Sequence, residues 1–192
     1  MNAEALGKAI SEATIFLQDV HNDTRSQIGS LDRLMAERNW VPAERNRVSG
    51  QLGNSLSDGR KWVPDYIYRC YTLVEESQAA QRVIAVFWYF YFDPGDAYEV
   101  ASCTVVAARL GAPMPPATLL LHDWNIGAAQ QAAGRSAVPI VLSGAAIKPL
   151  LPSALAAAGF VLPLCELTSD AILEDRLVSP ILAAEAALGA PK

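Results

Sequence analysis

Leu6, Ile10, Ala13, Leu17, Val20, Thr24, Gln27, Leu31 and Leu34 follow an unbroken 4-3-4-3 spacing. Side chains at that interval share one face of an α-helix, and a strand, with its period of two, does not reproduce it. Seven of the nine positions are apolar, and Ile15, Phe16, Ile28 and Met35 widen the stripe. Asn22-Asp23-Thr24 is a candidate break, since Thr24 with Gln27 reads as a capping box. The phase nevertheless carries through, so the spacing predicts one helix to about Arg38. A helix from Glu4 to Glu37 would be about 50 Å long. A compact chain of 192 residues has a diameter of about 42 Å. An unbroken helix would therefore overhang its own body and expose Leu6, Ile10 or Leu31 unless another surface covered them. Helices with a 3.5-residue repeat supercoil in pairs, so a homodimer, or another protein docked on this helix, is the expected partner. A break at 22–24, with both halves folded back on a monomer, is the competing arrangement.

A short second helix is expected over Ala43–Ser57. Pro42 suits its first position, Val48, Leu52 and Leu56 recur every four residues, and Gly59 offers a stop. Trp40 and Trp62, in the similar phrases Asn39–Pro42 and Lys61–Pro64, would cap the ends of the helical layer. Next come β-rich segments. Tyr66–Val74 is dense in aromatic and β-branched residues, and Arg82–Phe92 is continuously apolar, as in a strand buried on both faces. Glu99–Arg109 should pair with it antiparallel across the turn Asp93-Pro94-Gly95-Asp96.

In the last third, short apolar runs at Thr118–His122, Val138–Leu142 and Phe160–Glu166 alternate with helical stretches at Ile126–Ala133, Ala145–Ala158 and Asp170–Leu188, the second of which Pro149 and Pro152 must break or bend. That alternation predicts βα units and a partly parallel sheet. Gly111–Pro116 reads as a loop between the two styles. The expected fold is α+β, mixed α and β in a single domain spanning 1–192: a helical part (1–60), antiparallel strands (61–110) and a βα-type part (117–192).

A charged share of 18% beside an apolar share of 52% excludes a disordered chain. The net charge of -5 lacks the basic footprint of a general nucleic-acid binder. A local basic stretch, Arg38, Arg45, Arg47, Arg60 and Lys61 with Trp40 and Trp62 nearby, reads as a solvated helix–loop face ahead of a phosphate-backbone contact. No apolar run has transmembrane length and the start lacks a signal-peptide pattern, so no membrane is expected. Three widely spaced cysteines, Cys70, Cys103 and Cys165, suit reduced thiols and a cytoplasmic address.

Chemistry-bearing residues are sparse. His122 with Asp123 follows an expected strand, where an α/β sheet would place a ligand loop and a histidine could act as a base. Asp123 reads equally as a helix N-cap. Asp93, Asp96 and Glu99 cluster at a strand end, yet Asp, Pro and Gly are what a tight turn selects. Ser143-Gly144 could open a phosphate-binding turn, but only one glycine is present. His21, between Asp19 and Asp23, reads as a solvated helix residue. No metal set and no cofactor are expected. The residues thus favour a non-catalytic interaction or accessory protein acting through protein–protein contacts. The alternative is an α/β enzyme or nucleotide-binding protein with a site near Asp93, His122 and Ser143.

Overall fold

The structure, a computed structural model, describes residues 2–44, 49–50, 64, 66–90, 101–119, 133, 136–142 and 144–189. Helix α1 runs from Ala3 to Ala36 without interruption. The Asn2 side-chain oxygen accepts the Ala5 N–H at 2.8 Å, satisfying one of the unpaired first-turn donors. At Asn22–Thr24 the chain stays helical. There the Thr24 hydroxyl donates to the Val20 carbonyl at 2.8 Å instead of capping a new start. The helix stops before Asn39, whose φ of 63° is a left-handed conformation that asparagine tolerates better than most residues.

That turn leads into one sheet. Its strands are β1 (Trp40–Pro42), β2 (Ser49–Gly50), β3 (Tyr66–Leu73), β4 (Ala80–Tyr89), β5 (Ser102–Met114), β6 (Ile140–Val141) and β7 (Ala154–Pro163). Their order is β1-β3-β4-β5-β7-β6, with β2 also paired to β3. Every pairing among the described residues is antiparallel. Together with α1 and several short helices, this is an α+β fold.

The sheet is buried on both faces. On one, Leu31, Leu34 and Met35 of α1 pack with Leu173, Leu177 and Ile181 against Ile84, Val86, Trp88, Val105 and Phe160. The last three helical residues named belong to a C-terminal segment in three parts. Helix α4 (Asp170–Leu173) passes through a π turn (Glu174–Val178) into α5 (Ser179–Leu188); two short helices lie earlier, α2 (Pro116–Leu119) and α3 (Gly144–Leu150). On the other face, Leu119, Ile147 and Leu150 from α2 and α3 cover Val83, Ala85, Phe87 and Val106. Strand β4 therefore has no solvated side, which is why its sequence runs apolar without alternation.

Polar clamps hold the second half of α1 on the sheet. Arg69 is 4% exposed and donates twice to Asp32, at 2.6 Å each, while the Tyr71 hydroxyl donates to the same carboxylate at 2.8 Å. Burial opposes the Arg69 charge, but the Asp32 carboxylate outweighs it and raises the guanidinium above its usual value. Gln27 donates to the Leu167 carbonyl and accepts from the Trp88 indole. Arg33 pairs with Asp170 and Arg38 with Glu174, both at 2.6 Å.

Several expectations need correction. Ser49–Gly50 is strand, not part of a helix over 43–57, and Trp40 is a buried strand residue rather than a cap on a helical layer. Pro116–Leu119 is helical, and Gly111–Met114 extends β5 instead of forming a loop. The sheet of the last third is antiparallel, not parallel, because β6 is a two-residue edge strand that pairs with β7 in that sense. The helix expected over Ala145–Ala158 ends at Leu150, and Ala154–Ala158 is the start of β7. Alanine favours helix in isolation, but here Pro149 and Pro152 end the helix and the small side chains let α5 lie close over β5 and β7. Gly159 is tightly placed on the opposite face, where a Cβ would stand 2.9 Å from the Val105 carbonyl oxygen and 3.4 Å from Val106. The expected helix over 170–188 is present with its π turn, and the antiparallel pairing of β4 with β5 is as expected.

Candidate functional site

The described side chains of residues 2–19 are all exposed, and Thr24, at 2%, is the first buried residue of α1. The first half of the helix is thus an arm of about 25 Å that projects from the body. Its stripe is uncovered: Leu6, Ile10, Phe16 and Leu17 are exposed, Phe16 by 66%. On a regular helix Phe16 flanks the stripe on the side of Val20 and Gln27, whereas Ile15 stands about 160° from Leu17 and does not belong to it. The second half of the same stripe is used internally. Thr24, Leu31 and Leu34 are buried, and Gln27 is held by Leu167 and Trp88.

Where the arm meets the body a groove of about 650 Å3 opens, a volume within the usual range for binding sites. Phe16, Leu17 and Val20 form one wall, and Phe90, Leu164 and Cys165 the other, with Thr168, Asp170 and Asp23 at its rim. Leu164 and Cys165 are presented by a 3-10 turn, Leu164–Glu166, that follows β7. The Leu164 N–H donates to the Ala101 carbonyl at 2.8 Å and fixes that turn beside β5. His21 lies edge-on to Phe90 with ring centroids 5.9 Å apart. Cys165 is an exposed thiol, whereas Cys70 and Cys103 are buried and burial pushes both thiols well above their ordinary value.

A second polar cluster lies at the other end of β4. Arg82 and Arg109 stand directly opposite each other across β4 and β5. Two like charges so placed repel, and carboxylates neutralise them. Glu75 and Glu76 take Arg82 at 2.6 Å, and Glu185 of α5 takes Arg109 at 3.0 Å. Each charge is answered within the cluster, and the Arg109–Glu185 pair ties α5 to β5. The Arg109 guanidinium lies against Gly189, so a Cβ there would push the guanidinium aside.

The candidate residues Asp93, Asp96, His122, Asp123 and Ser143 lie outside the described residues. Gly144 opens the seven-residue helix α3. Of the basic stretch, Arg38 is ion-paired to Glu174, and Arg45, Arg47, Arg60 and Lys61 lie outside the described residues. Among the described residues no group of three His, Cys, Asp or Glu side chains is placed to hold a metal ion. No helix among them is long and apolar enough to cross a membrane. The groove was not foreseen from the sequence. Phe90 and Leu164 lie there within apolar runs, and the registers of β4 with β5 and of β5 with β7 bring them side by side near α1. The chain matches no protein-family model, no curated protein and no solved structure.

Proposed function

We propose that this chain is a non-catalytic interaction protein that works by association of its α1 arm, and that the partner is a second copy of the chain. One observation carries the reading. α1 runs for about 25 Å with every described side chain exposed while keeping Leu6, Ile10 and Leu17 in phase with buried Leu31. An isolated helix of that length is marginal in water, and an exposed apolar stripe on it has no stabilising role in a monomer. Association supplies one.

Sedimentation equilibrium at micromolar concentration tests the reading. The expected mass is twice the 20.6 kDa of the chain. Leu17→Asp puts a charge in the exposed stripe, outside both buried clusters, and should return a folded monomer. A wild-type monomer would overturn the proposal, and a dimer indifferent to Leu17→Asp would place the contact elsewhere.

A further inference from the structure

The geometry points to an antiparallel pairing of the two arms, in which the tip of each α1 enters the groove of the other copy. This rests on the association proposed above and fixes its direction. The stripe and the groove are one continuous surface, because Phe16, Leu17 and Val20 belong to both. A helix laid along the arm toward the body runs into the groove. If that helix is a second α1, a two-fold axis relates the copies and each tip meets the other's groove. Isologous contacts require that kind of self-complementarity.

The side chains fit one particular register. In an antiparallel pair, layers form where alternate stripe positions of the two helices meet. With the axis beside residue 15, Ile10 stands level with Val20 of the second copy and Ala13 with Leu17, so a small residue faces a large one. Leu6 then stands level with Thr24, at the groove, and the two Phe16 rings come together at the axis. The residues flanking the arm's stripe, Gly7, Ala9, Thr14 and Phe16, carry no charge. In this register Ala9 lies near Asp23 and Gly7 near His21, so no like charges face each other. The lengths agree as well. Each arm reaches the other groove, its Leu6 level with the turn of the partner helix where Thr24 lines that groove. Parallel arms would leave both grooves empty.

Paired spin labels read the direction. In a Cys165→Ser background, labels at Glu4→Cys and at Glu12→Cys report the distance between equivalent residues of the two copies. Antiparallel arms place the two residues 4 about 33 Å apart along the axis and the two residues 12 about 9 Å apart. Parallel arms would give short and nearly equal distances at both positions. The groove is read separately in the native-cysteine chain carrying Leu6→Cys, which should form an intermolecular disulfide with Cys165 under mild oxidation. Short distances at both label positions would overturn the antiparallel pairing and leave association standing. Long distances at residue 4 without the disulfide would overturn the seating of the tip in the groove. A monomer with no measurable distance would overturn both proposals.

Discussion

Arg69 is the residue least able to lose its partner. It is nearly sealed between α1 and β3, and its charge is answered by the Asp32 carboxylate at two 2.6 Å contacts. Removing one member of a buried pair costs far more than removing one of an exposed pair, and Asp32→Ala should lower stability by about 3–5 kcal/mol in urea unfolding. Arg33→Ala removes an ion pair of similar length, to Asp170, but both side chains there are more than half exposed, and the loss should be far smaller than for Asp32→Ala. Equal effects would show that the Asp32 clamp is not closed in solution. Glu185 behaves in the opposite sense. Burial raises its carboxyl above the ordinary 4.5, against the lowering by Arg109 and Arg82. A raised carboxyl takes up its proton in the folded protein first, so its contribution is present at low pH and is lost as pH climbs through the folded value. At Glu76, burial raises the carboxyl, but the Arg82 guanidinium and the N–H groups of Arg82 and Gln81 together bring it below 4.5. Its contribution is present above 4.5 and is lost as pH falls through that lowered value. Glu185→Gln should therefore leave stability at neutral pH unchanged or slightly higher. It should also remove the gain on acidification toward 4.5, as read from urea midpoints across pH. A large loss at neutral pH would contradict the sign.

At the scale of elements, legibility followed local chemistry. β4 was readable because a strand covered on both faces must be apolar throughout, and Val83–Trp88 meets that demand. α1 was readable because its phase never slips, even where Thr24 invites a break. β7 was readable only in its second half, where Phe160–Pro163 falls within the apolar run expected as a strand. Its Ala154–Ala158 run carries the composition of a helix, and what makes it a strand is the partner β5 and the need for small side chains beneath α5. The stripe of the candidate site could be read for the same reason as α1. Its groove could not, since Phe90 and Leu164 lie far in sequence from Phe16 and meet it only through the sheet. The arm itself makes a prediction. A helix that hangs free frays, whereas one covered by a partner does not. Amides of residues 6–19 should exchange slowly in the wild type and lose that protection in Leu17→Asp, while amides of β4 stay protected in both. Fast exchange in both would mean that nothing covers the arm. Gly29 offers an independent check on the helix, because a Cβ there meets nothing within 4 Å. Gly29→Ala should raise stability by about 0.5–1 kcal/mol, read by urea unfolding of the Leu17→Asp monomer.

For the whole molecule, the division between arm and body decides what folding and association owe each other. Every described side chain before Val20 is exposed, and both apolar clusters are assembled from Ile28 onward. The body should therefore fold without the arm. A chain starting at Val20 loses the Asn2 cap and the propagation of the first turns, and keeps every clamp from Gln27 to Arg38. Its stability should lie within about 1–2 kcal/mol of the monomeric Leu17→Asp variant, the scale of a lost helix cap. Association should disappear completely. The full chain, in contrast, gains stability from whatever binds its folded form alone, so its thermal midpoint should rise with protein concentration. The truncated chain should show one midpoint at all concentrations. A truncated chain that fails to fold would assign the arm to its own body and remove the reason for a partner. A concentration-dependent midpoint surviving truncation would instead put the contact on the sheet or its helices.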